Sequence, residues 1–176
     1  EEEGNRVLPV IRALAPRIKI PISIDTCKPR IACLAVAAGA DIINDITGFT
    51  NPAMIEAVAV SGAAAIIMHM RGEPRTMQAS PVYTDVVAEV KAFLADRAAA
   101  LKAAGVKQII LDPGIGFGKT LGHNLELIAR LDELRALGYP VLLGVSRKKF
   151  IETLAGGKPE ERLSGTIAAC VAGGAD

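Results

Sequence analysis

Apolar runs rich in β-branched residues alternate along the chain with Ala-rich helical stretches, and glycine stands where the helical stretches end. The run at 35–38 stops at Gly39 and gives way to Ile42-Ile43, and the run at 57–61 stops at Gly62 ahead of Ala65-Ile66-Ile67. Ala103-Ala104-Gly105 leads to Ile109-Ile110-Leu111, and Leu137-Gly138 leads to Val141-Leu142-Leu143. A helix stopped by a residue that takes the left-handed conformation, then a strand buried on both faces, accounts for the repeat. It predicts strands at 18–24, 41–46, 64–69, 108–112 and 141–145. Helix starts are marked by Thr26 with Pro29, by Asn51-Pro52, by Thr84 for a long helix to about Gly105, and by Asn124 for one ending near Gly138. Ser146 opens a short helix and Pro159-Glu160-Glu161 the last one. Proline fits a first helical turn because its missing N–H would have been unpaired there. Residues 169–176 repeat the helix-and-glycine half without the strand that should follow, which predicts a fragment cut at both ends.

Alternation of strand and helix means a parallel sheet with right-handed crossovers, either open or closed into a barrel. The strand tips favour a barrel. Asp25 follows 21–24, Asn44 and Asp45 follow Ile42-Ile43, and Met68 and His69 follow Ile66-Ile67. Asp112 follows 109–111, and Ser146, Arg147 and Lys148 follow 142–145. An open sheet gathers ligand groups at one switch point, whereas a barrel rings them around one mouth. The expectation is an α/β fold, a (β/α)8 TIM barrel incomplete here, forming a single domain over 1–176.

Composition narrows the function classes. Twenty Lys+Arg against 19 Asp+Glu leave a net charge of +1, which gives no basic face for nucleic acid or an anionic membrane. The 51% hydrophobic content supports a core, while the uncharged stretch at 57–68 is short of the roughly 20 residues a bilayer needs. No leader is visible. Cys27, Cys33 and Cys170 lack metal-finger or CxxC spacing and sit in helix-like Ala/Val runs, which predicts packed free thiols and a reducing, cytoplasmic compartment.

Asp112-Pro113-Gly114-Ile115-Gly116-Phe117-Gly118-Lys119-Thr120 is the densest motif. It resembles a P-loop, yet Pro113 stands where the first glycine is needed, and no dinucleotide fingerprint is complete. Its alternating glycines let backbone approach a ligand closely. Asp25, Asn44, Asp112 and Lys148 combine acceptors, an amide and a cation, which suits a flat heterocycle better than a metal. The plainer account is that Asp25 and Asn44 cap turns; for Asn44 it is weaker, because Asp45 and Gly48 can supply the turn. A lone histidine such as His69 is more often packed than catalytic, and Arg71 and Arg75 read equally as anion contacts or solvated charge. Phe117 is the aromatic expected beside a ring, and no Ser–His–Asp or Cys–His set is suggested.

Taken together, Ser23-Ile24-Asp25-Thr26, Ile43-Asn44-Asp45-Ile46, the run from Met68-His69-Met70-Arg71-Gly72 to Gln78, the glycine motif, Gly144-Val145-Ser146-Arg147-Lys148 and Glu161-Arg162-Leu163-Ser164-Gly165-Thr166 resemble the dihydropteroate synthases. They stand in that family's order across nearly the whole chain. The resemblance implies a transferase of folate biosynthesis and a sulfonamide target, joining 6-hydroxymethyl-7,8-dihydropterin pyrophosphate to p-aminobenzoate with release of pyrophosphate. It implies a pterin pocket lined by Asp25, Asn44, Ile46, Met68, Asp112, Phe117, Leu142, Gly144 and Lys148, with Asp25, Asp112 and Lys148 taking part in catalysis and Ser146 on the p-aminobenzoate side. Pyrophosphate would leave first, and carboxylates would stabilise the cation left on the pterin methylene. The matched tips number as strands three to seven, so Mg2+ is implied with its ligands outside the chain, and little or no synthase activity is expected of this chain alone. A homodimer through late helices is implied, with the small-residue helix from Pro159 to Gly173 allowing close packing. The pterin-binding barrel of corrinoid methyltransferases and a non-catalytic pterin-binding paralogue are the alternatives. The first lacks the Ser-Arg-Lys and Met-His-x-Arg-Gly pieces, and the second would show damage to the ligand set.

Overall fold

In the structure of the chain, a computed structural model, residues 2–72, 76–77 and 81–174 are described. They form two compact units, one comprising residues up to Met68 with Leu94–Ile110, the other His69–Phe93 with Leu111 onward. Four strands, β1 (Ser23–Asp25), β2 (Ile42–Asp45), β3 (Ala64–Met68) and β4 (Ile109–Asp112), lie in the order β1-β2-β3-β4, and the β1–β2 and β2–β3 pairings are parallel. The parallel α/β architecture is therefore present.

In the first unit, helices α1 (Glu2–Leu14), α2 (Pro29–Ala37) and α3 (Pro52–Ser61) accompany the strands. Asn51 caps α3 by accepting from Ala53 N at 3.0 Å, with Pro52 at the first helical position and Gly62 ending it at φ +71°. Strand β3 is buried at every position, and Ile43 and Asp45 are buried together on one face of β2 while Ile42 and Asn44 take the other. Helix α4 (Val86–Ala103) runs from the second unit into the first and buries Val86, Val87, Val90, Leu94, Ala98 and Leu101. Its start is held by Asp85, whose Oδ1 accepts from Val87 N and Ala88 N, and not by Thr84.

The second unit holds α5 (Leu121–Ala129), α6 (Asp132–Arg135), α7 (Lys149–Ala155), a 3-10 turn at Pro159–Glu161, and α8 (Leu163–Ala172). Thr120, not Asn124, caps α5, in a capping box with His123.

Each predicted strand is trimmed at one end or both, and two fall well short. The run at 18–24 pairs only from Ile22, because Pro21 has no N–H to offer and Ile20 stays exposed. The strand predicted at 141–145 is reduced to a single Leu111–Val141 bridge. Leu111 N donates to Pro140 O and Leu142 N to Leu111 O, so the next rung would need an N–H from residue 113. That residue is proline, and the ladder ends. The cysteines also depart from expectation: Cys27 and Cys33 are exposed and Cys170 intermediate. Helix α2 buries Ile31, Ala32 and Ala35, which turns Cys33 outward.

Candidate functional site

Within the first unit, Asp25 and Asn44 are register partners at the tips of β1 and β2. Asp45 takes over the turn after β2: its carboxylate accepts from Thr47 N (2.9 Å), Thr47 Oγ1 (2.8 Å) and Phe49 N (3.1 Å), with Gly48 at φ +69°. Asn44 is thereby released from the turn, and its Oδ1 is buried with no hydrogen-bond partner among the described residues. A buried acceptor without a donor costs about 1–3 kcal/mol, a deficit that a ligand N–H would remove. Asp25 is exposed at the edge strand, yet partial desolvation pushes its carboxyl above the usual aspartate value, with repulsion from Asp45 and Glu3 adding to it. Ile46 is half-buried in the turn, and Met68 is buried at the end of β3.

The second unit gathers Asp112, Phe117, Gly144 and Lys148. Asp112 is buried, and its Oδ1 accepts from Gly114 N at 2.7 Å in an Asx turn that starts the glycine loop. A Cβ on Gly144 would stand 3.9 Å from Asp112 Oδ2 and 3.8 Å from Lys148 Nζ, so glycine there keeps clear the space both heads border. The Lys148 ammonium lies 4.6 Å over the Phe117 ring and donates to Ile115 O. Burial drives the Asp112 carboxyl up, tempered by Gly114 N–H and by Lys148 and Lys119; burial drives Lys148 down, tempered by Asp112. Leu142 and Ser146 are exposed. A cavity of about 540 Å³ is walled by Phe117, Lys148, Lys149, Phe150, Thr153 and Asn124 among others, so Lys149 borders it where Ser146 does not.

Three residues that sequence reasoning left without a site role build this loop. Asn124 on α5 accepts from Gly116 N (2.7 Å) and donates to Thr120 O (2.7 Å), tying loop to helix. Lys119 is only 3% exposed, and its Nζ reaches His69 Nδ1 (3.0 Å), His69 O (3.2 Å), Gly114 O (3.0 Å) and Phe117 O (3.0 Å). Burial draws this lysine down to about 7, repulsion from Lys148 and Arg71 adding to it and Asp112 holding it up. Tyr83 donates to Gly118 O. Arg71 is an exposed charge that is also engaged: it pairs with Glu89 at 2.5 Å, donates to Val82 O and lies 4.1 Å over Tyr83. Arg75 falls outside the described residues.

His69 is a packed histidine, edge-on to Phe93 at 5.1 Å, and burial followed by repulsion from Lys119 and Arg71 pushes it down to about 3. Unfolded, it takes a proton near 6.5. The unfolded state thus binds more protons between those values, and stability falls as pH drops below 6.5. About 2 kcal/mol is expected to be lost between pH 7 and 5 from this group alone. Urea unfolding at pH 7, 6 and 5 should show a shallower loss in His69→Gln; equal slopes would contradict the assignment.

Among the described residues no cluster of three or more His, Cys, Asp or Glu side chains could hold a metal ion, so the groups present do not fit an implied Mg2+. No helix among them is long and apolar enough to cross a membrane.

A family model described as pterin binding enzyme matches residues 1–176. Dihydropteroate synthase of Escherichia coli K12 is 45% identical over 173 residues, covering 97% of this chain and 61% of that protein. Solved structures of the Thermus thermophilus dihydropteroate synthase, in complex with 4-aminobenzoate and with 6HMPPP, are 48% identical with a TM-score of 0.94, covering 98% of this chain and 68% and 69% of those chains. The Yersinia pestis enzyme in a sulfonamide drug complex matches at 39% identity and TM-score 0.95, over 98% of this chain and 64% of that one. The chain thus spans about 61% of the length of its E. coli relative.

Proposed function

The chain belongs to the pterin-binding enzyme family, and from that membership we propose that it binds a dihydropterin and that the whole protein is a dihydropteroate synthase. The reaction joins 6-hydroxymethyl-7,8-dihydropterin pyrophosphate to p-aminobenzoate. The C–O bond at the pterin methylene breaks, its electron pair leaves with pyrophosphate, and the arylamine nitrogen forms the new C–N bond and gives up a proton.

The observation that carries this reading is Asp112. It is a buried carboxylate with one oxygen engaged by Gly114 N–H and the other at a space that Gly144 keeps clear, with the Lys148 ammonium beside it. An aminopyrimidinone edge offers two adjacent N–H donors and a carbonyl, which a carboxylate and an ammonium complement. Phe117 supplies an aromatic face next to Lys148. Within the first unit the unpartnered Oδ1 of Asn44 is an acceptor for a ligand N–H, and Asp25, Ile46 and Met68 are the proposed pterin residues of that unit. Leu142 is proposed with Asp112 in the second unit. Ser146 stays on the proposed p-aminobenzoate side, and Lys149, which borders the cavity beside Phe117, offers a cation for the carboxylate of that substrate. No step is assigned to Mg2+. The homodimer is part of the proposal, and α8 exposes Leu163, Ile167 and Val171 at i, i+4 and i+8, a stripe that self-association would cover.

Calorimetric titration of the chain with pterin-6-carboxylate tests the binding claim. Asp112→Asn replaces an acceptor by a donor and is expected to weaken binding by about 100-fold, the scale of a charged hydrogen-bond pair. Equal affinity for both proteins would sink the proposal.

A further inference from the structure

One motif has no place in the site so far: Glu161-Arg162-Leu163-Ser164-Gly165-Thr166, at the entry to α8. Two of its residues converge on the backbone of one residue, Arg147. Arg147 lies two residues past the buried Val145, in a turn closed by Lys148 N donating to Val145 O at 3.3 Å, and has φ +53°. A non-glycine residue in that region carries a cost of about 1 kcal/mol or more, and persists only where its surroundings over-determine it. Here both of its backbone groups are taken by the motif. Arg147 N donates to Thr166 Oγ1 at 3.0 Å, and Arg162 Nη1 donates to Arg147 O at 3.0 Å.

The two clamps are themselves fixed. Thr166 Oγ1 donates back to Arg162 O at 2.8 Å, which orients its lone pairs toward Arg147 N. Arg162 is buried, spending Nε on Gly157 O (3.1 Å) and Nη2 on Glu152 Oε2 (2.5 Å), so its fork is held at three points. The rest of the motif supports this placement. Glu161 accepts from Lys158 N at 2.7 Å and closes the preceding turn. Gly165 lets α8 approach Ile151 of α7 more closely than any side chain would permit.

The residue after Arg147 is Lys148, whose head donates to Ile115 O, covers Phe117 and borders the space next to Asp112 Oδ2. We infer that Arg162 and Thr166 are positioning residues: by holding Arg147 in the left-handed conformation they set the direction in which Lys148 enters the site. The inference rests on the pterin reading for its functional meaning, and on the backbone clamp for its physical content. It predicts that the requirement for the clamp is a requirement for φ > 0 at position 147. Glycine reaches that conformation without strain, so a glycine there should make the clamp dispensable.

The test is a double-mutant cycle in the full chain. Thr166→Val keeps the shape and loses the hydroxyl; it is expected to weaken pterin-6-carboxylate binding about tenfold, the upper end of what one net hydrogen bond contributes. Thr166→Ser, which keeps the hydroxyl, should bind within about twofold of wild type. Adding Arg147→Gly to Thr166→Val should restore affinity to within about threefold. Should Thr166→Val fail to fold, Arg162→Lys, which keeps charge for Glu152 but loses the fork to Arg147 O, enters the same cycle. A second readout needs no ligand. NMR titration of isotope-labelled lysine should show Lys148 moving up toward its ordinary value in Thr166→Val and back down in the double variant. Unchanged affinity and titration in Thr166→Val, or a loss that Arg147→Gly does not rescue, would overturn the inference. If the wild-type chain binds no pterin, the proposed function fails instead, and the Lys148 titration alone decides for or against the clamp.

Discussion

Gly118→Ala is expected to destabilise the second unit by about 4 kcal/mol or more, among the largest effects a single methyl group can have. Two causes add. Gly118 sits at φ +61°, where an L side chain is strained. A Cβ there would also run into the carbonyl oxygen of Arg71, with Arg71 C and N each 3.1 Å away. Backbone cannot swing aside as a side chain does, and Arg71 is anchored by Glu89 and Val82. Tyr83, hydrogen-bonded to Gly118 O, lies beside the lesion and reports on it. Urea unfolding followed by tyrosine fluorescence reads the loss. Gly122→Ala is the control: within α5 the nearest atom to its new Cβ, Thr120 Oγ1, is 3.9 Å away, so a gain of about 0.5–1 kcal/mol is expected. Equal stability of the two variants would show that the Arg71–Gly118 approach is wrong.

Lys119→Met should cost about 3 kcal/mol and weaken pterin binding as well. Methionine fills nearly the same volume but offers no donor, leaving Gly114 O, Phe117 O and His69 O without the ammonium that joins them. Each orphaned buried carbonyl forfeits about 1 kcal/mol or more. The same carbonyls belong to the loop that places Gly114 N on Asp112 and Phe117 under Lys148, so binding should suffer along with stability. Chemical unfolding gives the first quantity and calorimetric titration with pterin-6-carboxylate the second. A variant as stable as wild type would mean that the buried charge costs as much as its hydrogen bonds return.

What the chain disclosed before its structure was known follows from the range of the interactions involved. Helix starts written in local code were legible: Asn51-Pro52 caps and opens α3, and Pro29 opens α2. Where two polar residues competed for one cap, spacing alone could not choose, and Asp85 and Thr120 took the places assigned to Thr84 and Asn124. The shortfall at 141–145 came from a partner strand, through a proline at 113 whose effect appears only once register is known. The strand-tip groups Asp25, Asn44, Asp112 and Lys148 could be singled out because strand ends are marked by apolar runs. Lys119, Asn124, Arg162 and Thr166 could not be assigned roles in the same way. Their partners lie 50, 8, 15 and 19 positions distant, and a lysine after three glycines looks like a solvated head until its acceptors are seen. The exposed cysteines show the same limit, since an Ala/Val neighbourhood does not say which helix face is covered.

In the proposed function everything turns on Asp112 accepting the N–H groups of a pterin ring. The most direct measurement is NMR of pterin-6-carboxylate labelled with nitrogen-15 at N3 and the 2-amino group, bound to the chain. An N3 proton shifted downfield and protected from solvent exchange is expected, with the signature lost in Asp112→Asn. A bound pterin whose N3 and amino protons exchange freely, or whose signature survives that substitution, would contradict it.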